Sequence, residues 1–140
     1  MRIVLAADGS PYTKKALAFL ANHESLAGPK DELLVLNVQP SMPPRVRSMV
    51  GAEAIAGYHQ EEAEKVLGPI RKFLERKGIA FRCDWKAGEP AEQILAAAGR
   101  SKAHLIVMGT HGYGLFGRAV MGSIAQRVLV DAKIPVLLVK

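Results

Sequence analysis

Four glycines, Gly109, Gly112, Gly114 and Gly117, fall within nine residues directly after the apolar run Leu105-Ile106-Val107-Met108. Glycine lets the main chain approach a ligand closely and turn its N–H groups inward, and a cradle of that kind suits an anion. Gly122 and Ser123 follow where a helix from about Val120 to Val130 would begin, adding N–H donors, a hydroxyl and the positive end of the helix dipole. Phosphate is the ligand class this expects. A second polar turn, Ala7-Asp8-Gly9-Ser10, follows Ile3-Val4-Leu5-Ala6 and supplies a carboxylate, Asp8. A carboxylate at a strand-to-helix turn also suits a helix cap, and Ser123 also suits a small packing residue, so each keeps a bland reading. His111 is the one proton-transfer candidate of the loop, with an ordinary pKa of about 6.5, but it reads first as a solvated loop histidine. No Ser-His-Asp order with hydrolase context, HExxH or DxDxDG is present, and Glu61, Glu62 and Glu64 read as a solvated helix face.

The elements that must position these turns alternate in type. Ile3–Ala6, Leu33–Val38, Leu105–Met108 and Val136–Val139 are short, nearly continuous apolar runs, as parallel strands covered on both faces show. Ile79, Phe81, Cys83 and Trp85 alternate with Ala80, Arg82, Asp84 and Lys86, the pattern of a strand with one wetter face and hence of a sheet edge. Between the first two runs Ser10 caps a helix, Pro11 opens it, and Ala16, Leu17 and Leu20 share one face. Ala63, Val66, Leu67, Ile70, Phe73 and Leu74 recur at steps of three and four and predict the longest helix, with a kink or interrupted hydrogen bond at Gly68-Pro69 and an end at Gly78. A shorter helix is expected from about Pro90 to Ala98. Three prolines in Gln39–Arg47 predict a segment without regular structure.

The order βαβαβαβαβ predicts an α/β fold: a doubly wound, five-stranded parallel sheet of order 3-2-1-4-5 with helices on both faces. That order puts the reversal between the first and fourth strands, so the turns at Asp8 and Gly109 become neighbours at the crevice where such sheets bind ligands. Residues 1–140 read as one domain.

Three loop patterns compete for the glycines. The Walker A motif fails because no Gly-Lys-Ser/Thr follows. Gly112-Tyr113-Gly114-Leu115-Phe116-Gly117 fits GxGxxG, but a dinucleotide fingerprint belongs after the first strand and is answered by an acid after the second. The third pattern, Gly109-x2-Gly112-x9-Gly122-Ser123, resembles the nucleotide loop of the universal stress protein family, and the likeness runs from Ile3–Ser10 through Val107–Gly112 to Ile134–Val139. The resemblance implies the adenine-nucleotide alpha hydrolase-like arrangement and ATP as ligand, with Mg2+ bridging its phosphates. It puts Asp8 near the adenosine, Ala6 and Ala7 on the same wall, the Val38 backbone at adenine and Met108 and Gly109 against the ribose. Gly112, Gly122, Ser123 and the Ile124 backbone then hold the phosphates. Two departures bear on the seating of the base: Ala6 stands where some nucleotide-binding members have proline, and Tyr113-Gly114 varies the loop.

Composition sets the broader bounds. The 140 residues are 49% hydrophobic and 23% charged, as in soluble globular proteins. The sequence lacks an apolar run long enough for a membrane span, and Asp8 arrives too early for a signal-peptide core, so a cytoplasmic protein without a membrane partner is expected. The net charge of +6 is scattered among acids rather than concentrated, which argues against nucleic acid. The single cysteine, Cys83, excludes an internal disulfide and reads as a core residue. Val136–Val139 at an open sheet edge predicts a homodimer, which the resemblance also implies. The function expected is an ATP-binding stress-response or signalling module; the alternatives are a slow ATPase or nucleotidyl-transfer enzyme with His111 or Asp8 orienting water, and a dimeric interaction protein without nucleotide. Residues 39–55 suggest a lid over the site.

Overall fold

The computed structural model describes residues 1–112 and 121–140. Five parallel strands, β1 (Arg2–Ala6), β2 (Glu32–Gln39), β3 (Arg82–Ala87), β4 (Leu105–Gly109) and β5 (Val136–Val139), form one sheet in the order β3-β2-β1-β4-β5. Helices α1 (Pro11–Ala21), α2 (Pro44–Val50), α3 (Ala52–Arg76), α4 (Pro90–Arg100) and α5 (Ser123–Asp131) lie between them in the chain. The doubly wound order expected from the sequence is the order observed.

Successive strand residues face opposite sides of a sheet, and this period divides the core in two. Ile3, Leu5, Leu33, Val35 and Val107 pack with Ala16, Leu17 and Leu20 of α1 and with Ala63, Leu67, Ile70 and Leu74 of α3. Val4, Leu36, Ile106 and Met108 pack on the other face with Ile94 and Ala97 of α4 and with Ala125 and Val128 of α5. Burying both faces of β1, β2 and β4 is why their sequences run apolar without alternation. Edge strand β3 keeps one wetter face and no fully buried residue.

Some boundaries differ from the sequence reading, whereas the long helix ends at Gly78 as expected. The proline-rich segment contains α2, because Pro44 stands in the first helical turn, where its missing N–H and fixed φ cost nothing. That helix contributes no buried side chain. The long helix begins at Ala52 and runs 25 residues without a break through Pro69, then stops at Lys77 and Gly78, whose φ of +68° suits glycine. The last helix begins at Ser123 rather than Val120, which lies outside the described residues together with Tyr113–Ala119. Among the described residues, no helix is long and apolar enough to cross a membrane.

Candidate functional site

The crevice opens because neighbouring strands stop at different points. Pairing of β1 with β2 ends at Ala6 opposite Leu36, whereas β2 stays paired with β3 as far as Gln39 opposite Ala87. On the other side, β1 and β4 part at Leu5 opposite Val107, while β4 runs on against β5 to Gly109. The chain leaving β1 therefore turns between two longer strands, the position at which doubly wound sheets hold ligands.

One side chain sets the edge of this opening. Asn37, buried to 2% exposure, donates from Nδ2 to the Ala7 carbonyl at 2.8 Å and accepts from Gln39 Nε2 at 2.6 Å. The last main-chain rung is Ala7 N–H to Leu36 carbonyl at 2.9 Å. Asn37 thus takes the carbonyl that the next rung, from Val38, would use, and the alternation of the ladder turns the Val38 main-chain groups toward the opening. The Val38 side chain packs instead against the α4/α5 core.

Asp8 is held from one oxygen. Its Oδ1 accepts from Ser10 N–H at 2.9 Å and from Thr13 Oγ1 at 2.9 Å, while Thr13 Oγ1 also accepts from Asp8 N–H at 3.1 Å. Ser10, fully buried, is the residue that caps α1, accepting from Thr13 N–H. Asp8 is therefore not the helix cap, and its Oδ2 faces Gly112: a Cβ added there would lie 2.7 Å from it.

The glycine loop is closed at its base by Gly122 N–H donating to the Thr110 carbonyl at 2.6 Å, and Thr110 N–H donates to Val139 at 2.9 Å. A hydrogen bond of 2.9 Å joins the Thr110 hydroxyl to His111 Nδ1, and the His111 ring packs 5.0 Å from that of Tyr12. His111 is half-buried and engaged rather than freely solvated. Gly122 is the N-cap of α5 and offers no side-chain acceptor to its first turn. Among the described residues, the amides of Ser123, Ile124 and Ala125 consequently lack the capping partners that Ser10 gives α1 and Glu89 gives α4. The positive end of α5 adds to that bare row.

The expected site residues thus divide. Asp8, Gly109, Gly112, Gly122 and Ser123 come together around the ends of β1 and β4, and Val38 borders the same opening. Ala6 and Ala7 do not share a wall: their methyls point to opposite faces, Ala7 into the α1/α3 core and Ala6 toward the α4/α5 core. The Met108 side chain is likewise buried in the latter core, leaving only its backbone near the opening. Gly122 spends its own N–H on Thr110, so the donors at this turn are those of Ser123 and Ile124. Reasoning from glycine spacing and residue type misses Thr13, Asn37 and Tyr12; Asp8-x-Ser10-x-x-Thr13 is the local signal for the first, since such spacing closes an Asx turn onto a capped helix.

The family model described as the universal stress protein family matches residues 1–140. The chain belongs to this family. A universal stress protein from Thermus aquaticus is 36% identical over 140 residues, covering 99% of this chain and 97% of that relative. Universal stress protein MJ0531 from Methanocaldococcus jannaschii is 33% identical over 140 residues, covering 99% and 81%. Among solved structures, the hypothetical protein MJ0577 superposes with a TM-score of 0.84 at 26% identity, covering 99% of this chain and 94% of that one. Three more distant universal stress protein structures share the fold and were solved with nucleotides. One from Archaeoglobus fulgidus is in complex with dAMP (TM-score 0.69, 24% identity, coverage 100% and 98%). One from Arabidopsis thaliana has AMP bound (0.68, 18%, 100% and 91%), and a third is in complex with cAMP (0.67, 18%, 100% and 96%). The sheet is thus that of universal stress protein domains with the adenine-nucleotide alpha hydrolase-like fold.

Proposed function

We propose that residues 1–140 form one adenine-nucleotide-binding domain that takes ATP in the crevice and acts as a cytoplasmic stress-response or signalling module. The carrying observation is the first turn of α5, uncapped among the described residues, beside Gly112, which faces Asp8 Oδ2. In this reading the Val38 backbone meets the edge of adenine, Asp8 Oδ2 accepts from the adenosine, and the backbones of Ala6, Ala7, Met108 and Gly109 line the ribose. Gly112 and the amides of Ser123 and Ile124 hold the phosphates, with Gly122 leaving room for them. Relatives of the same fold solved with dAMP, AMP and cAMP support the adenine-nucleotide class.

The glycines themselves support a ligand. Gly109 is demanded by its neighbour, since a Cβ would strike Tyr12, and a Cβ at Gly112 would displace Asp8 Oδ2. Gly122 is not: its φ of −71° is open to any residue, and its Cβ would meet nothing among the described residues closer than 3.4 Å. A bare Cα there suits a phosphate approaching the helix start. Among the described residues no three His, Cys, Asp or Glu side chains converge on a metal position. Mg2+ would accordingly be held through the phosphate oxygens, as a hard cation that keeps much of its water shell, and would neutralise phosphate charge.

Isothermal calorimetry of Mg-ATP against the wild type and Gly122→Val tests the site, with binding lost in the variant. A second reading, slow hydrolysis, draws on the fixed His111 ring beside the loop; turnover unchanged in His111→Ala removes its proton-transfer group. The ATP-binding reading includes a homodimer through Val136–Val139, whose strand is an outer one in the sheet.

A further inference from the structure

The sheet ends in two outer strands of opposite character. β5 is Val136-Leu137-Leu138-Val139, with no charge and no hydrogen-bonding side chain. β3 is Arg82-Cys83-Asp84-Trp85-Lys86-Ala87, with three charged residues in six. An outer strand presents a row of unpaired N–H and C=O groups that another chain can pair with. A molecule with two complementary open rows can add copies end to end without closing.

The register of β3 on β2 identifies the outward row. Gly88 N–H donates to the Gln39 carbonyl at 2.9 Å, and Gln39 stands opposite Ala87. Main-chain groups alternate in side along a strand, so those of Arg82, Asp84 and Lys86 serve β2, whereas those of Cys83, Trp85 and Ala87 point outward. Trp85 is the middle of the three. Its N–H donates to Asp84 Oδ1 at 2.8 Å, and the other carboxylate oxygen, Oδ2, lies 3.6 Å from Lys86 Nζ. One side chain thus occupies the outward donor of the next residue. A strand arriving here would bring a carbonyl oxygen against a carboxylate instead of an N–H. The two flanking positions have neighbours of their own: Cys83 lies beside Arg71 of α3, and Ala87 shares a cavity with Ser41 and Met42, just before α2.

We propose that Asp84 is an edge guard: its carboxylate, held on the Trp85 N–H, closes β3 to strand addition by a second copy of the chain and leaves β5 as the edge open to it. The guard acts at the edge opposite β5 and operates whether or not a nucleotide enters the crevice.

Asp84 is exposed, so Asp84→Ala should keep the fold, which far-UV circular dichroism checks. In dilute protein the Trp85 amide should exchange with solvent at least tenfold faster than in the wild type, read by hydrogen-exchange NMR. Sedimentation at rising concentration should then show species larger than any the wild type forms, reversible on dilution. Asp84→Asn keeps an accepting oxygen and should behave as the wild type. Leu138→Pro, at the other edge, separates the two surfaces: adding Asp84→Ala to it should produce association that Leu138→Pro alone does not show. The proposal is overturned if Trp85 exchange is unchanged in Asp84→Ala, or if Asp84→Ala adds no larger species with Leu138 intact or replaced. It is also overturned if Asp84→Asn associates as Asp84→Ala does, which would make charge the barrier in place of the occupied donor.

Discussion

Asp8 has one oxygen committed to structure and the other turned to the loop. Asp8→Asn keeps an oxygen for Ser10 N–H and Thr13 Oγ1 but replaces Oδ2 by a donor, so the fold should persist while Mg-ATP affinity falls at least tenfold, about 1.4 kcal/mol. The glycines allow a sharper contrast. Gly109→Ala drives a Cβ into Tyr12, including its main-chain carbon at 3.2 Å, which cannot yield without moving the start of α1. Urea denaturation should show a loss of about 1–3 kcal/mol, whereas Gly122→Ala, at the N-cap of α5, should cost no more than about 1 kcal/mol. Cys83 offers a pH test. Burial pushes its thiol above the ordinary cysteine range, with Arg71 opposing only in part. Since the thiolate is the reactive form, labelling should be slow at neutral pH and rise only above the pH at which a free cysteine reacts. At this scale the sequence exposed Asp8, the glycines and Ser123, whose types and spacing carry meaning locally. Asn37 and Tyr12 were invisible because their roles depend on strand ends and helix starts that only the fold brings together.

The helices were legible where one face is buried and less so where none is. The stripe of Ala63, Leu67, Ile70 and Leu74 in α3 is that of a helix packed on one sheet face, and α1 carries a cap readable as Ser10, whereas the Glu89 cap of α4 emerges only from the structure. Helix α2 escaped notice because it has prolines at its start and no buried residue to impose a period. Pro69 is the stress point of α3: lacking an N–H, it leaves the Lys65 carbonyl without its helical partner, although the helix continues. Pro69→Ala should therefore raise stability by about 1–2 kcal/mol in chemical denaturation, the helical gain exceeding the greater freedom of the unfolded chain. Leu67, 2% exposed, lies on the same helix against the sheet, and Leu67→Ala should cost about 2–5 kcal/mol.

For the whole molecule, strand order follows from the alternation of apolar runs and helices, and the crevice follows from strand order. The sheet edge at β5 carries the remaining question of assembly. Ile106 N–H bonds Pro135 and Thr110 N–H bonds Val139, so the alternate residues Val136 and Leu138 turn their main-chain groups outward. Leu138→Pro removes one outward N–H and no rung to β4, a placement an edge strand tolerates. Sedimentation should find the wild type dimeric and this variant monomeric; a dimer unchanged by it would put the interface elsewhere. The central claim is the nucleotide crevice, and calorimetry of Mg-ATP with wild type, Asp8→Asn and Gly122→Val tests it most directly. The account predicts one nucleotide per chain in the wild type and at least tenfold weaker binding in both variants. Failure of ligand-free wild type to bind ATP, or binding that neither substitution changes, would contradict it.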